Sequence, residues 1–279
     1  MARLRQAIDE ATRTLTGAGV PSARADAEEL AAHAAGTSRG RLPVLDAVPD
    51  GFFARYDELV TARARRIPLQ HLTGTTAFGP VTLEVGPGVF VPRPETEALL
   101  EWAVARQLPP DPVIVDLCTG SGALAAALAH QMPSARIVGV DISADALSYA
   151  RRNAPSVELR QGDVRDPGLF DDLDGRVDLL VANPPYLPES VALEPEVAEH
   201  DPPEALCGGP DGTGIIAAVA VLAERWLKPG AFLAIEHDDG ASDSVMRMIK
   251  CSNVFDDVTA HPDLGGVLRF VTARKKLRQ

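Results

Sequence analysis

Cysteines and long apolar runs are scarce in this chain, and each scarcity excludes something. Its three cysteines, Cys118, Cys207 and Cys251, stand far apart in 279 residues. They give neither a disulfide framework nor the paired spacing of a zinc site, and they suit a reducing compartment. No stretch approaches the ~20 apolar residues that cross a bilayer, and the opening MARLRQAIDE lacks an apolar signal segment. A cytoplasmic monomer with no membrane association is expected. Basic residues are in deficit, 27 against 39 acidic ones, for a net charge of −12. That balance argues against a protein that binds chiefly by neutralising phosphates, so no stable nucleic-acid binding is expected. His200 has no companions at ligand spacing, and no metal site is expected.

What is present is an ordinary globular composition, 46% hydrophobic and 24% charged, with room for two domains. The first part reads as helices. Leu4, Ala7, Ile8, Ala11 and Leu15 follow helical spacing until GAGVP (17–21) stops them. Ser22 is placed to cap a second helix that ends at Gly36, and a third is expected from about Asp50 to Ile67, before Pro68. Residues 1–74 thus form a small helical bundle. From 75 to 92 the pattern alternates, and a hairpin is expected from VTLEV, a GPG turn at 86–88, and VFV. Residues 93–279 open on a helix over 92–108, set behind proline punctuation. They then alternate apolar strands with helices, which indicates a parallel sheet covered on both faces. The end, NVFDDVTAHPDLGGVLRFVTARK, reads as two strands forming an antiparallel edge.

Within this alternation, VIVDLCTGSGALAAALA (113–129) is a strand, a glycine-containing turn and a helix, an arrangement that brings backbone amides to a ligand. Gly120 and Gly122 would let that ligand approach. Asp141, 19 residues beyond Gly122, ends the next strand, where it is placed to accept from both hydroxyls of a ribose. Asp163 closes the third strand, where it and Val164 could meet an adenine edge. The ligand is either a dinucleotide or S-adenosylmethionine. A dinucleotide loop has a third glycine where this chain has Ala125, and Asp116 would repel a pyrophosphate but accommodate an ammonium group. S-adenosylmethionine is the better fit.

VANPPYLPE (181–189) leaves an apolar strand through a rigid turn. Pro184 and Pro185 lock φ and lack an N–H, which gives the carbonyls of this stretch set directions. A planar nitrogen group could donate one hydrogen to Asn183 and one to the Pro184 carbonyl, with Tyr186 as a flat wall. The alternative is a proline-stiffened loop with a packed tyrosine.

Taken in order, DLCTGSGA, VDIS, GDV and NPPY resemble class I methyltransferases of the amino-group type. With PLQHLTG (68–74), FVPRPETE (90–97), HDPPEALCGGPDG (200–212), DLGGVLRF (263–270) and the N-terminal bundle, the whole chain resembles the HemK/PrmC family. These are protein-glutamine methyltransferases of class I peptide chain release factors. The resemblance implies a Rossmann-like α/β domain with a mostly parallel seven-stranded sheet and an antiparallel C-terminal hairpin, preceded by a substrate-recognising bundle and a hairpin linker. It further implies S-adenosyl-L-methionine bound by Asp116, Cys118, Thr119, Gly120, Ser121, Gly122, Asp141, Asp163, Val164 and Asn183. Asn183, Pro184, Pro185 and Tyr186 would bind the substrate amide and carry the catalysis.

Cys118 stands where the family more often has glycine, and an ordinary negative φ with a packed side chain is expected there. A second departure is DGTG (211–214), where a large aliphatic residue often follows the Asp-Gly. Arg93 and Glu95 either shape the substrate entrance or form a helix N-terminus. The acidic run EPEVAEHDPPE (194–204) either attracts a basic partner or is simply solvated. Competing readings are an amino-group methyltransferase acting on adenine or guanine in nucleic acid, and a cofactor-binding protein without turnover.

Overall fold

The computed structural model describes residues 2–191 and 193–277. The chain forms two compact units, Met1–Thr75 with Leu193–His200, and Thr76–Ala192 with Asp201–Gln279. The first holds α1 (Ala2–Gly17), α2 (Ala23–Ala35), α3 (Phe52–Ala64) and α4 (Leu69–Thr73). Leu4, Ile8, Ala11 and Leu15 form one stripe of α1 and pack with Ala27, Leu30 and Ala31 of α2 and with Phe52, Tyr56 and Val60 of α3. α2 ends at Gly36 in the left-handed conformation, as its sequence requires. Ser22 occupies the N-cap position but caps no amide. Its hydroxyl donates instead to Asp26 Oδ1 at 2.7 Å, because that buried carboxylate needs donors more than the solvated helix end does. α3 stops at Ala64, short of the expected Ile67, where Arg66 turns to φ 65.

β1 (Thr75–Phe78), which begins at the boundary between the units, and β2 (Val81–Glu84) form a two-stranded sheet of their own. The hairpin therefore turns at Gly79-Pro80, not at residues 86–88, and VFV is not a strand. Val89 and Val91 are buried as irregular chain. A short 3-10 turn, Pro94–Thr96, leads into α5 (Glu97–Val104). The main elements follow: β3 (Val113–Leu117), α6 (Ala123–Gln131), β4 (Arg136–Asp141), α7 (Ala144–Asn153), β5 (Glu158–Gln161), β6 (Val177–Ala182), α8 (Pro195–His200), α9 (Gly214–Trp226), β7 (Leu227–Glu236), α10 (Ser242–Cys251), β8 (Phe255–Pro262) and β9 (Leu268–Lys275).

Seven strands run in the order β5-β4-β3-β6-β7-β9-β8, the first five parallel to one another and β9 antiparallel to both its neighbours, β7 and β8. Alternate residues divide between the faces. Val115, Leu117, Leu180, Ala182, Leu233 and Ile235 pack with Ile216 and Trp226 of α9 and Val245 and Ile249 of α10. Ile114, Leu179, Val181 and Ala234 pack with α5 and α6. α10 had no counterpart in the sequence reading, since SDSVMRMIKC buries little beyond Ser242, Val245 and Ile249.

α8 belongs to the first unit although it follows β6 in the chain. Arg63 of α3, 5% exposed, donates to Asp26 at 2.7 Å, to the Ile67 carbonyl at 3.0 Å and to Glu196 of α8 at 2.9 Å. Arg66 also grips Glu196. Burial pushes the Glu196 carboxyl up, but the Arg66 hydrogen bond, its own backbone and Arg63 outweigh it and hold the group at about 2. Asp201 is likewise buried and accepts from Arg93 at 2.8 Å. Glu196 and Asp201 of the acidic run are thus used inside the protein, while Glu194, Glu199 and Glu204 are exposed.

Candidate active site

The chain runs from β3 outward to β5 and then returns to place β6 on the other side of β3, so the strand order reverses between β3 and β6. A crevice at the carboxyl ends of such strands is where open α/β sheets bind ligands. Register pairs Leu117 with Ala182 and Ala182 with Ile235. The next residues along the strands, Cys118, Asn183 and Glu236, therefore meet at this edge.

The glycine loop is folded by residues that the sequence had singled out for the ligand. Asp116, 1% exposed, accepts from the Thr119 hydroxyl at 2.5 Å and from the Ala125 amide in the first turn of α6 at 3.1 Å. Its Oδ1 and the Ser121 Oγ are buried without a hydrogen-bond partner among the described residues. Gly120 has φ 56, and a Cβ there would meet nothing within 4 Å. Open space over a backbone turn, beside an unsatisfied buried carboxylate oxygen, fits a cationic, hydrogen-bonding ligand. Asp141 accepts from the Gly120 amide at 2.8 Å and the Ser143 amide at 2.9 Å, so it braces the loop as well as facing the crevice. It is mostly buried, not an exposed strand tip, and burial pushes its carboxyl up. Asp163 lies two residues beyond β5, which ends at Gln161, and is held by the Arg165 guanidinium at 2.6 Å, while Val164 is buried.

Cys118 contradicts expectation, with φ 59. The loop needs a left-handed residue there, and the family's usual glycine is explained by it. Burial, then the charges of Asp141, Asp116 and Asp163, raise the thiol's pKa well above its usual value, so it holds no reactive thiolate. Cys118→Gly removes a left-handed penalty of about 1–2 kcal/mol and adds about 0.4–1 kcal/mol of unfolded-chain entropy. A net gain of about 0.5 kcal/mol is expected in urea unfolding, and a loss of more than about 1 kcal/mol would show the strain argument to be mistaken.

β6 is buried along its whole length and delivers the NPPY turn to the edge of the sheet. A second loop backs it. Leu187 donates to the Leu206 carbonyl at 2.9 Å, and Gly208 donates to the Leu187 carbonyl at 3.0 Å. At Gly212, φ 77, a Cβ would fall on the Tyr186 carbonyl oxygen, so the GGPDG motif lets two backbones lie together. Asn183 Nδ2 donates to Thr96 Oγ1 at 3.0 Å, and the Tyr186 hydroxyl donates to Glu236 Oε1 at 3.2 Å. Burial pushes the Glu236 carboxyl up to about 7 against the Thr96 and Tyr186 hydroxyls. Neither Thr96 nor Glu236 was singled out in the sequence. Thr96 lay inside the quoted PRPETE, and a lone acid ending the apolar AFLAIE was the other available signal. Arg93 of the same motif lies over the Phe90 ring and pairs with Asp201, while Glu95 is exposed.

This is a class I methyltransferase domain, a Rossmann-like sheet with its glycine loop and NPPY turn at one switch point, accompanied by a separate helical unit. A family model described as a PrmC N-terminal domain matches residues 6–74, and one described as a methyltransferase domain matches residues 114–194. A release factor glutamine methyltransferase of Mycobacterium tuberculosis is 60% identical over 98% of this chain and 91% of its own length. A 4-amino-L-phenylalanine/4-methylamino-L-phenylalanine methyltransferase of Streptomyces pristinaespiralis is 41% identical over 93% and 91%. Among solved structures, a methyltransferase from Pyrococcus furiosus shares the fold at TM-score 0.54 and 17% identity, covering 78% of this chain and 99% of its own. The chain belongs to the HemK/PrmC family of release factor glutamine methyltransferases.

Proposed function

We propose that this protein transfers a methyl group from S-adenosylmethionine to the side-chain amide nitrogen of the glutamine in the Gly-Gly-Gln motif of class I release factors. The observation that carries this reading is the rigid turn of Asn183 and Pro184 beside the glycine loop, two acceptors fixed for a planar NH2. The cofactor supplies an electrophilic sulfonium methyl. Asp116 would face its ammonium group, Asp141 its ribose hydroxyls, Asp163 and Val164 its adenine, with Cys118, Thr119, Gly120, Ser121 and Gly122 shaping the loop.

A glutamine nitrogen is a poor nucleophile because its lone pair is delocalised, so placement decides the rate. Asn183 Oδ1 and the Pro184 carbonyl accept its two N–H bonds and aim it, an effect worth roughly 7–11 kcal/mol in favourable cases. Both bonds strengthen as the nitrogen becomes more acidic, so they favour the transition state over the ground state. Pro185 stiffens the turn, and Tyr186 covers the amide plane. Residues 1–74 recognise the partner, 75–92 link, and 93–279 perform the transfer, in a cytoplasmic monomer.

Burial, opposed by the Thr119 hydroxyl and the Ala125 amide, pushes the Asp116 carboxyl up to about 7. The folded group holds its proton between the unfolded value, 3.8, and about 7. Its contribution to stability is therefore complete below the lower value and lost as pH rises through the upper one. An ammonium neighbour pulls the pKa back down, so cofactor binding near neutral pH releases a proton. Calorimetry in buffers of differing ionisation enthalpy is expected to show that release, and Asp116→Asn to abolish it.

Offering the protein S-adenosylmethionine with a class I release factor, a 4-aminophenylalanine or a duplex oligonucleotide tests the substrate. Methylation of the release factor alone is expected. Preference for the free aromatic amine or the oligonucleotide would overturn the assignment.

A further inference from the structure

We propose that Glu236 is a positioning residue that pins the far end of the Tyr186 ring and so sets the wall against which the substrate amide lies; the inference rests on the amide-methylation reading and deepens it. A tyrosine whose backbone is fixed still turns about two side-chain torsions, whereas a wall for a planar group must hold one plane. The near end of this ring is fixed by the chain. Pro184 and Pro185 lock the backbone before it, and the Gly212 backbone packs on the Tyr186 carbonyl oxygen. The far end is held by Glu236, whose Oε1 meets the Tyr186 hydroxyl at 3.2 Å. The ring is thereby tied at both ends.

The two anchors rest on neighbouring buried strands. Tyr186 follows the end of β6 at Ala182, and Glu236 follows Ile235 of β7, which pairs with Ala182 in the sheet. Glu236 is 1% exposed, and its Oε2 is buried with no hydrogen-bond partner among the described residues. Burying a carboxyl is costly, and a position that needed only packing would hold an apolar side chain, as the preceding Leu233, Ala234 and Ile235 do. Nor does a hydrophobic wall require the pair, since a phenylalanine against an apolar residue would fill the same space without either polar group. What the pair adds is a fixed direction. Burial, then the charge of Glu236, pushes the Tyr186 phenol up, so the hydroxyl keeps its proton. Both states of the carboxyl sustain the bond, because a carboxylate accepts from the phenol and a protonated carboxyl can donate to its oxygen.

The test is Glu236→Met, which keeps the bulk and removes the acceptor, beside Glu236→Gln, which keeps an oxygen for the hydroxyl. In E236M, kcat for release-factor methylation is expected to fall on the order of 10-fold with cofactor affinity unchanged, and E236Q to stay within about threefold of wild type. Tyr186→Phe removes the other partner and should cost about as much. In that background E236M should cost nothing further, and the apolar pair leaves no hydroxyl unpaired in the fold. Wild-type kcat in E236M, a fall in E236Q as large as in E236M, or full additivity of E236M with Y186F would overturn the proposal. Exchange of the Tyr186 hydroxyl proton, read by NMR from the deuterium isotope shift at its Cζ, follows the same bond without turnover, and Tyr56 and Tyr149 are the only other tyrosines in the spectrum. Slow exchange in wild type and E236Q and fast exchange in E236M are expected, and equal exchange in all three would overturn the anchor. That expected pattern in a protein whose wild type does not methylate release factor would remove the functional reading and leave the anchor standing.

Discussion

Asn183→Ala lowers kcat by about 100- to 1000-fold and leaves cofactor affinity within about threefold of wild type, the pattern of a lost interaction made mainly in the transition state. The substitution removes one of two acceptors for the substrate NH2 and leaves Thr96 without its donor, while β6 behind it stays buried. The Pro184 carbonyl remains and accounts for the residual rate. Single-turnover kinetics beside calorimetric titration of the cofactor separates the two effects. A raised KM with unchanged kcat would mean that Asn183 only holds the substrate, and the aiming argument would fail.

Asp141→Ala acts on the other half of the site and is expected to weaken cofactor binding by about 100-fold or more, since two charge-assisted hydrogen bonds are each worth about 1.5–3 kcal/mol. The side chain also ties the Gly120 and Ser143 amides, so its loss loosens the glycine loop itself. Asp141→Asn keeps one oxygen acceptor and is expected to fall between the two. Fluorescence or calorimetric titration showing unchanged affinity in D141A would reject the ribose role. Because β4 is buried and paired on both sides, the fold should survive, and the far-ultraviolet circular dichroism should match wild type.

The alternation of apolar strands and helices made the sheet legible from sequence, because buried parallel strands cannot tolerate interruption. The antiparallel end was legible from two strand-like runs separated by a glycine-containing turn, although β8 is largely exposed. VTLEV was placed correctly as β2, but its partner was misplaced because VFV has strand composition while its neighbours, GPG and PRP, deny it a pairing. α10 escaped because a helix with one narrow buried stripe is mostly polar in sequence. Cys118 was misread because nothing in a side chain announces a positive φ. Its position in a loop that otherwise takes glycine was the only sign. At the site, residues that would touch the ligand were readable from motif order. Thr96 and Glu236 were not, since their roles depend on a meeting between distant segments that only the fold creates. Glu196 is the same case, an acid in a charged run that proves to be held by Arg63 and Arg66.

The most direct test of the central claim is to incubate the protein with S-adenosylmethionine and an intact class I release factor, then locate the added methyl by tandem mass spectrometry of the Gly-Gly-Gln peptide. A single methyl on the glutamine side-chain nitrogen is predicted, absent when Asn183 is alanine over the same interval. A methyl placed on another residue, or an unmodified peptide after prolonged incubation with a protein that binds the cofactor, would contradict it.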